Sequence, residues 1–171
     1  MVAGESLVDL ICRETGPPAA VLGGGPFNVA RTAARLGLSC AYLGALSADR
    51  FGRDLRAALR ADGVDDRFAP ATELPTSLAL AEVDAGGVAT YRFYLEGTSA
   101  SALEPAAAEA VLALNPRIVY VGTLGLVLEP MASTLEGLVG RVAPDVVVAV
   151  DPNCRPSAIT DEPAFRDRLD R

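Results

Sequence analysis

Gly23-Gly24-Gly25-Pro26-Phe27-Asn28 places three glycines and a proline directly before a helical stretch. Glycine has no Cβ, so such a turn lets a ligand or another chain segment come close to the backbone. Three occupants are open on this observation alone: a nucleotide phosphate, a sugar, or only the next turn of the chain, with Asn28 solvating the first helical turn. The dinucleotide option lacks its residues. Gly23-x-Gly25-x-x-Asn28 has no third glycine, the preceding Ala19 to Leu22 run is short and Pro-flanked, and Leu43-Gly44 stands where a ribose-binding acid would be needed. Asp9, at the end of an apolar run, can accept hydrogen bonds from two hydroxyls or be a solvated strand-end acid or helix cap. Asn153 and Arg155 follow a run ending at Asp151, at the carboxyl edge where open α/β sheets bind ligands. Arg155 there either touches sugar or phosphate oxygens or pairs with a surface acid.

Two absences narrow the chemistry further. The 171 residues contain no His, which removes Ser-His-Asp triads, His proton shuttles and His metal ligands. They contain no Lys, so neither a Walker A loop nor a Schiff base is available. Cys12, Cys40 and Cys154 are odd in number and far apart, as buried free thiols rather than a zinc ribbon or disulfide framework. The net charge of −7 is spread among interspersed Arg and acids, with no basic face for nucleic acid. No apolar run reaches the roughly 20 residues that span a bilayer, and no secretory signal is visible, so the expected location is cytoplasmic.

The elements that must position these residues alternate short apolar runs with helical stretches, an α/β pattern. Val2-Ala3 into Ser6 to Ile11 reads as one first strand, broken by Gly16-Pro17-Pro18. Pro26 suits the first helical position and Gly37 the position just past the helix end. Ser39 to Leu43 reads as a strand. Asp49 predicts the cap of a helix carrying Phe51, Leu55, Ala58 and Leu59 and ending at Asp62-Gly63. Ser77 to Val83 and Val88 to Tyr94, joined by Asp84-Ala85-Gly86-Gly87, predict an antiparallel hairpin, an excursion such as a lid. Ser101 and Glu104 predict a capping box for a helix through Leu114. Ile118 to Val121 and Val146 to Val150 are apolar throughout, as in parallel strands covered on both faces, with a helix around 131–142 between them. Phe165 and Leu169 begin a last helix in which the chain stops, so a front part of a longer protein is expected.

Taken together, several stretches resemble the ribokinase-like (PfkB-type) carbohydrate kinase family, fructokinase-like subgroup. Gly4-Glu5-Ser6-Leu7-Val8-Asp9 resembles its opening G-E-x-x-x-D, and Gly23 to Ala30 with Gly37 its first glycine signature. Gly44 to Gly52 is similar to its G-x-x-G-x-D-x-x-G, with Ser47 in place of a glycine. Asp151-Pro152-Asn153-Cys154-Arg155 resembles its D-x-N-x-R, and the hairpin its lid. The resemblance covers the whole chain.

This resemblance implies the front part of a doubly wound, mostly parallel sheet with a small β-hairpin lid at about 76–95. It implies a sugar site formed by Asp9, Gly24, Gly25, Asn28, Tyr94, Asn153 and Arg155. The complete enzyme is expected to use ATP and Mg²⁺ to phosphorylate a primary hydroxyl of a neutral sugar, and to pair as a homodimer through the lid. The family's catalytic base is an Asp in a G-A-G-D motif that does not occur here. No catalytic or metal-binding residue is therefore assigned within 1–171, the adenine pocket is likewise expected beyond it, and the chain alone is expected to be inactive. Relatives acting on acidic sugars such as 2-keto-3-deoxygluconate show Y-R-x-G-S-A after the hairpin. Here Tyr94-Leu95-Glu96-Gly97-Thr98 offers no such Arg, which favours a neutral hexose. The alternatives are a kinase of the same family for another sugar and a non-catalytic sugar-binding or interaction chain.

Overall fold

The structure, a computed structural model, describes residues 1–171. Its elements run β1 (Val2–Ala3), β2 (Leu7–Arg13), β3 (Ala19–Gly23), α1 (Gly25–Arg35), β4 (Tyr42–Leu43), β5 (Leu46–Ser47), α2 (Arg50–Ala61), β6 (Ala71–Thr72), β7 (Leu78–Val83), β8 (Ala89–Tyr94), α3 (Pro105–Leu112), β9 (Ile118–Gly122), α4 (Met131–Val139), β10 (Val147–Asp151) and α5 (Glu162–Asp170). Two 3-10 turns, at Ser99–Ser101 and Thr123–Leu126, complete the chain.

The main sheet has the order β10-β9-β1-β4, and every pairing in it is parallel. Alternate residues of its strands enter two separate cores, as the period of two requires. Val2, Tyr42 and Tyr120 face α1 and α2, against Phe27, Ala30, Leu55 and Leu59. Ala3, Leu43, Val119 and Val121 face the other side, against Leu103, Val111, Met131, Leu135, Leu138 and Phe165 of the α3–α5 layer. The sheet is therefore wound on both faces, as the resemblance implies.

A second sheet, β3-β2-β7-β8, stands off the first. β2 pairs antiparallel with β3 and parallel with β7, and β7 pairs antiparallel with β8. Two expectations are corrected here. The apolar run from Val2 to Ile11 is not one strand: Gly4, at φ 143°, turns the chain so that β1 stays in the main sheet and β2 joins the second. The hairpin is not an isolated lid either, because β2 and β3 extend it into a four-stranded sheet.

Local signals explain the helix ends. Asp49 caps α2 by accepting the Gly52 amide at 2.8 Å. Ser47, in the place of the family's glycine, is accommodated because its Oγ accepts the Asp49 amide at 3.0 Å. Gly37, at φ 87°, follows the last residues of α1. The capping box expected at Ser101 and Glu104 does not form. Ser101 lies in a 3-10 turn, and α3 begins at Pro105 with no side-chain cap and ends at Leu112. β10 is an edge strand of the main sheet, with Val147 and Val150 exposed rather than covered.

Candidate functional site

Where the two sheets meet, a cleft of about 240 Å³ opens. It is lined by Glu5, Leu7, Asp9, Gly24, Gly25, Asn28, Tyr91, Phe93, Thr123, Leu124, Asn153 and Arg155. That volume lies just below the roughly 300–1,000 Å³ of drug-sized ligand sites, as suits a ligand the size of a monosaccharide. The fold thus brings six of the seven predicted residues together: Asp9, Gly24, Gly25, Asn28, Asn153 and Arg155. Tyr94 is not among them. Along β8 successive side chains alternate, so Tyr91 and Phe93 face the cleft and Arg92 and Tyr94 the other side. The aromatic signal lies in the run Tyr91-Arg92-Phe93-Tyr94, but choosing its face requires the register with β7.

Asp9 projects from the middle of β2, opposite Val21 and Ala79, rather than from a strand end. A Cβ on Gly23 would collide with its carboxylate, so that glycine makes room for it. Asp9 is half-buried, and burial raises its pKa with no opposing hydrogen bond. Its carboxylate is an acceptor that the protein leaves for something else.

Gly24 enters α1 at φ 109°, where a Cβ would press on the Glu5 carbonyl at 2.8 Å and the Ser6 Cα at 2.9 Å. The backbone of the β1–β2 link and that of the α1 entry therefore touch directly. No side chain of α1 caps its first turn. Instead the Gly25 amide donates to Glu5 Oε1 at 3.2 Å. The same oxygen accepts the Thr123 hydroxyl, and Glu5 Oε2 accepts the Gly125 amide at 3.0 Å. Glu5 is only 2% exposed, and burial pushes its pKa up to about 7 against the pull of these donors. Glu5 is legible in the sequence as part of a motif, but its role is not. Only the fold shows that it joins three backbone segments.

Across the cleft Arg155 Nη1 donates to Asn153 Oδ1 at 2.6 Å, and Asn153 adopts φ 31°. Arg155 has no carboxylate partner, so the surface ion pair considered from the sequence does not form. It is the one cation lining the cleft. Behind it, the Tyr120 hydroxyl donates to Asp151 Oδ2 at 3.2 Å, and burial followed by the Asp151 charge raises the phenol to about 12.

A doubly wound sheet with a second sheet over a polar, glycine-rimmed cleft describes an α/β fold with a small-molecule-sized pocket. The sequence matches the pfkB family carbohydrate kinase over residues 1–171, and the chain belongs to that family. It is 33% identical to a fructokinase of Rhizobium leguminosarum bv. trifolii over 175 residues, covering 100% of this chain and 53% of the relative. It is also 33% identical over 163 residues to fructokinase-1 of Oryza sativa subsp. japonica, covering 89% of this chain and 50% of that one. The fold is that of the fructokinase from Xylella fastidiosa solved with bound ATP, at a TM-score of 0.85 and 23% identity, covering 98% of this chain and 57% of that one. The chain spans about half the length of the curated relatives it matches.

Proposed function

We propose that this chain forms the sugar-binding part of an ATP-dependent carbohydrate kinase of the fructokinase type. The observation that carries the reading is the half-buried Asp9 carboxylate, which lines the cleft without a protein donor, facing the bare backbone of Gly24 and Gly25. A sugar offers hydroxyl donors at fixed spacings. Asp9 accepts from two of them, and Asn28 both donates and accepts at the same rim. Tyr91 and Phe93 supply an apolar face over the ring, stacked with centroids 6.4 Å apart.

The substrate is a neutral sugar. No cation of the second sheet lines the cleft: Arg92 lies on the opposite side of β8, and Leu95 packs with Leu7, Ala79 and Leu124. Arg155 and Asn153 stand at the far rim, where they meet the sugar or an oxygen of the phosphate that approaches it. In the complete reaction a primary hydroxyl of the sugar loses its proton and attacks the γ-phosphorus of ATP, with ADP leaving. The proposed contribution of this chain is to fix the sugar and exclude water while the second sheet closes. The base that takes the proton is assigned to no residue of 1–171. ATP enters as co-substrate with Mg²⁺. No group of three or more metal-ligating side chains occurs in this chain.

Isothermal titration of the chain with D-fructose tests the reading. Saturable binding that Asp9→Asn weakens about tenfold or more is expected, since a charge-assisted hydrogen bond is worth roughly 1.5–3 kcal/mol. Binding unchanged by Asp9→Asn, or no binding of fructose or related sugars at millimolar concentration, would overturn it.

A further inference from the structure

Glu5 is the one carboxylate of the cleft that the ligand does not need. It is buried at the junction of three segments that otherwise share no side-chain bond: the α1 entry through the Gly25 amide, and the turn after β9 through the Thr123 hydroxyl and the Gly125 amide. The packing leaves no slack around it. A Cβ on Gly25 would overlap the Thr123 side chain, and Thr123 itself sits at φ 56°. Losing one donor to Glu5 therefore moves Gly25, and with it the rim that carries Gly24 and Asn28.

We propose that Glu5 is a proton-sensitive positioning residue. Ionised, it holds the Gly25 and Gly125 amides and the Thr123 hydroxyl in one cluster and sets the rim against which the sugar binds. Protonated, it becomes a donor among donors, and the cluster opens. This inference rests on the sugar-site reading for its consequence but not for its geometry.

Glu5 shares its surroundings with several ionisable groups. Asp9 and Arg155 line the same cleft, Tyr42 of β4 and Tyr120 of β9 lie beneath it with Asp151 bonded to Tyr120, and the α1 entry brings no charge. Burial raises both phenols, so neither ionises near neutrality. No His is present. The Met1 amine, which burial lowers, lies at the opposite end of β1, against Ile118. The Glu5 carboxyl titrates at about 7.

The sign follows. An acid held protonated in the fold up to about 7 makes the folded state bind the proton more tightly than the unfolded chain. Its contribution to stability therefore falls as pH rises from about 5 through 7. Sugar affinity moves the other way, because the binding-competent rim requires the ionised form. With that form half-populated near pH 7, the apparent affinity falls about tenfold from pH 8 to pH 6.

Two measurements on the 171-residue chain test this. The first needs no sugar: ¹³C-carboxyl NMR of Glu5 with the amide resonances of Gly25 and Gly125 followed over pH 5.5–8.5. The carboxyl and both amides are expected to titrate with one midpoint, which Thr123→Val moves upward by removing a donor to the ionised form. Amides that ignore the Glu5 titration, or a midpoint that Thr123→Val leaves in place, overturn the inference whatever the sugar does. The second is calorimetric titration with D-fructose over the same range. Tenfold weakening towards pH 6, abolished in Glu5→Gln, is expected. A flat wild-type profile, or a pH dependence kept by Glu5→Gln, overturns the inference and leaves the sugar reading intact. No binding at any pH with co-titrating amides overturns the sugar reading and leaves the Glu5 cluster standing.

Discussion

The amide and the hydroxyl of Thr76 both donate to the Asp49 carboxylate, at 2.8 and 2.7 Å, and so tie the foot of the second sheet to the mouth of α2. The neighbouring Ser77 hydroxyl lies 2.6 Å from that of Thr98 and accepts the Ala100 amide at 2.9 Å, closing the exit of β8 onto the entry of β7. The sheet that covers the cleft is thus hinged on a buried hydroxyl cluster with Asp49 at its base. Burial pushes the Asp49 carboxyl up, but the donors from Gly52 and Thr76 outweigh it and hold the group at about 2. Asp49→Ala is expected to cost about 1–2 kcal/mol, since it removes a helix cap together with the hinge bonds. A folded-state pKa below the unfolded one gives stability that is present above about pH 4 and lost as pH falls towards 2. Thermal melts of wild type and Asp49→Asn are therefore expected to differ at neutral pH and to converge across that acid window. Parallel melting curves at every pH would contradict this.

The two faces of β8 separate two tyrosines of almost equal exposure, Tyr91 at 53% and Tyr94 at 51%. Only Tyr91 lines the cleft. Tyr91→Ala is expected to weaken fructose binding about three- to tenfold, roughly 1 kcal/mol for one half-exposed apolar contact. Tyr94→Ala is expected to leave affinity unchanged, and neither substitution to shift stability by more than about 0.5 kcal/mol. Calorimetric titration of the two variants decides between the faces. Equal losses would return Tyr94 to the site.

These tyrosines also mark how far the sequence can be read. Helix α2 is legible to its cap because Asp49 and the apolar spacing of Phe51, Leu55 and Leu59 are local signals. The parallel sheet is legible because Ile118 to Val121 and Val146 to Val150 are apolar throughout, although the second of these runs proves to be an exposed edge strand. The split of the Val2 to Ile11 run is not. Both halves are apolar, and the turn at Gly4 acquires meaning only when β2 finds β3 and β7. Pairings between segments far apart in sequence leave no local trace, which is why the four-stranded cover reads as a hairpin. The site residues emerge from their spacing against known motifs. The role of Glu5 does not, because its donors are two backbone amides and a hydroxyl remote in sequence, a partnership that no residue type announces.

Two glycines make opposite predictions from the same substitution. A Cβ at Gly25 would overlap the Thr123 side chain, in the middle of the Glu5 cluster. Gly25→Ala is expected to destabilise the chain by about 1–3 kcal/mol through overpacking, and to abolish sugar binding. Gly137, inside α4, has no positive φ, and a Cβ added there would meet nothing within 4 Å. Gly137→Ala is expected to add about 0.5–1 kcal/mol by removing unfolded-state freedom. Chemical denaturation of the pair checks both signs in one experiment.

Strand β10 gives a prediction about association. It lies at the edge of the main sheet, where Val147 is 58% exposed and Val150 49%, and next to it Ile118 of β9 is 51% exposed. Val147 and Val150 occupy opposite faces of the strand, so the edge offers both unpaired backbone groups and apolar side chains on either side. Such an edge is a template for another strand, and the chain is expected to self-associate at micromolar concentration or above. A lysine on this edge adds charge that must be desolvated on pairing and repels its copy, while leaving the existing β9 pairing in place. Val147→Lys, remote from the cleft residues, is therefore expected to shift the species seen by light scattering towards monomer without weakening fructose binding. Wild-type chain that elutes as a monomer at every concentration, or Val147→Lys that associates as the wild type does, would show that β10 is protected by its own twist and neighbours.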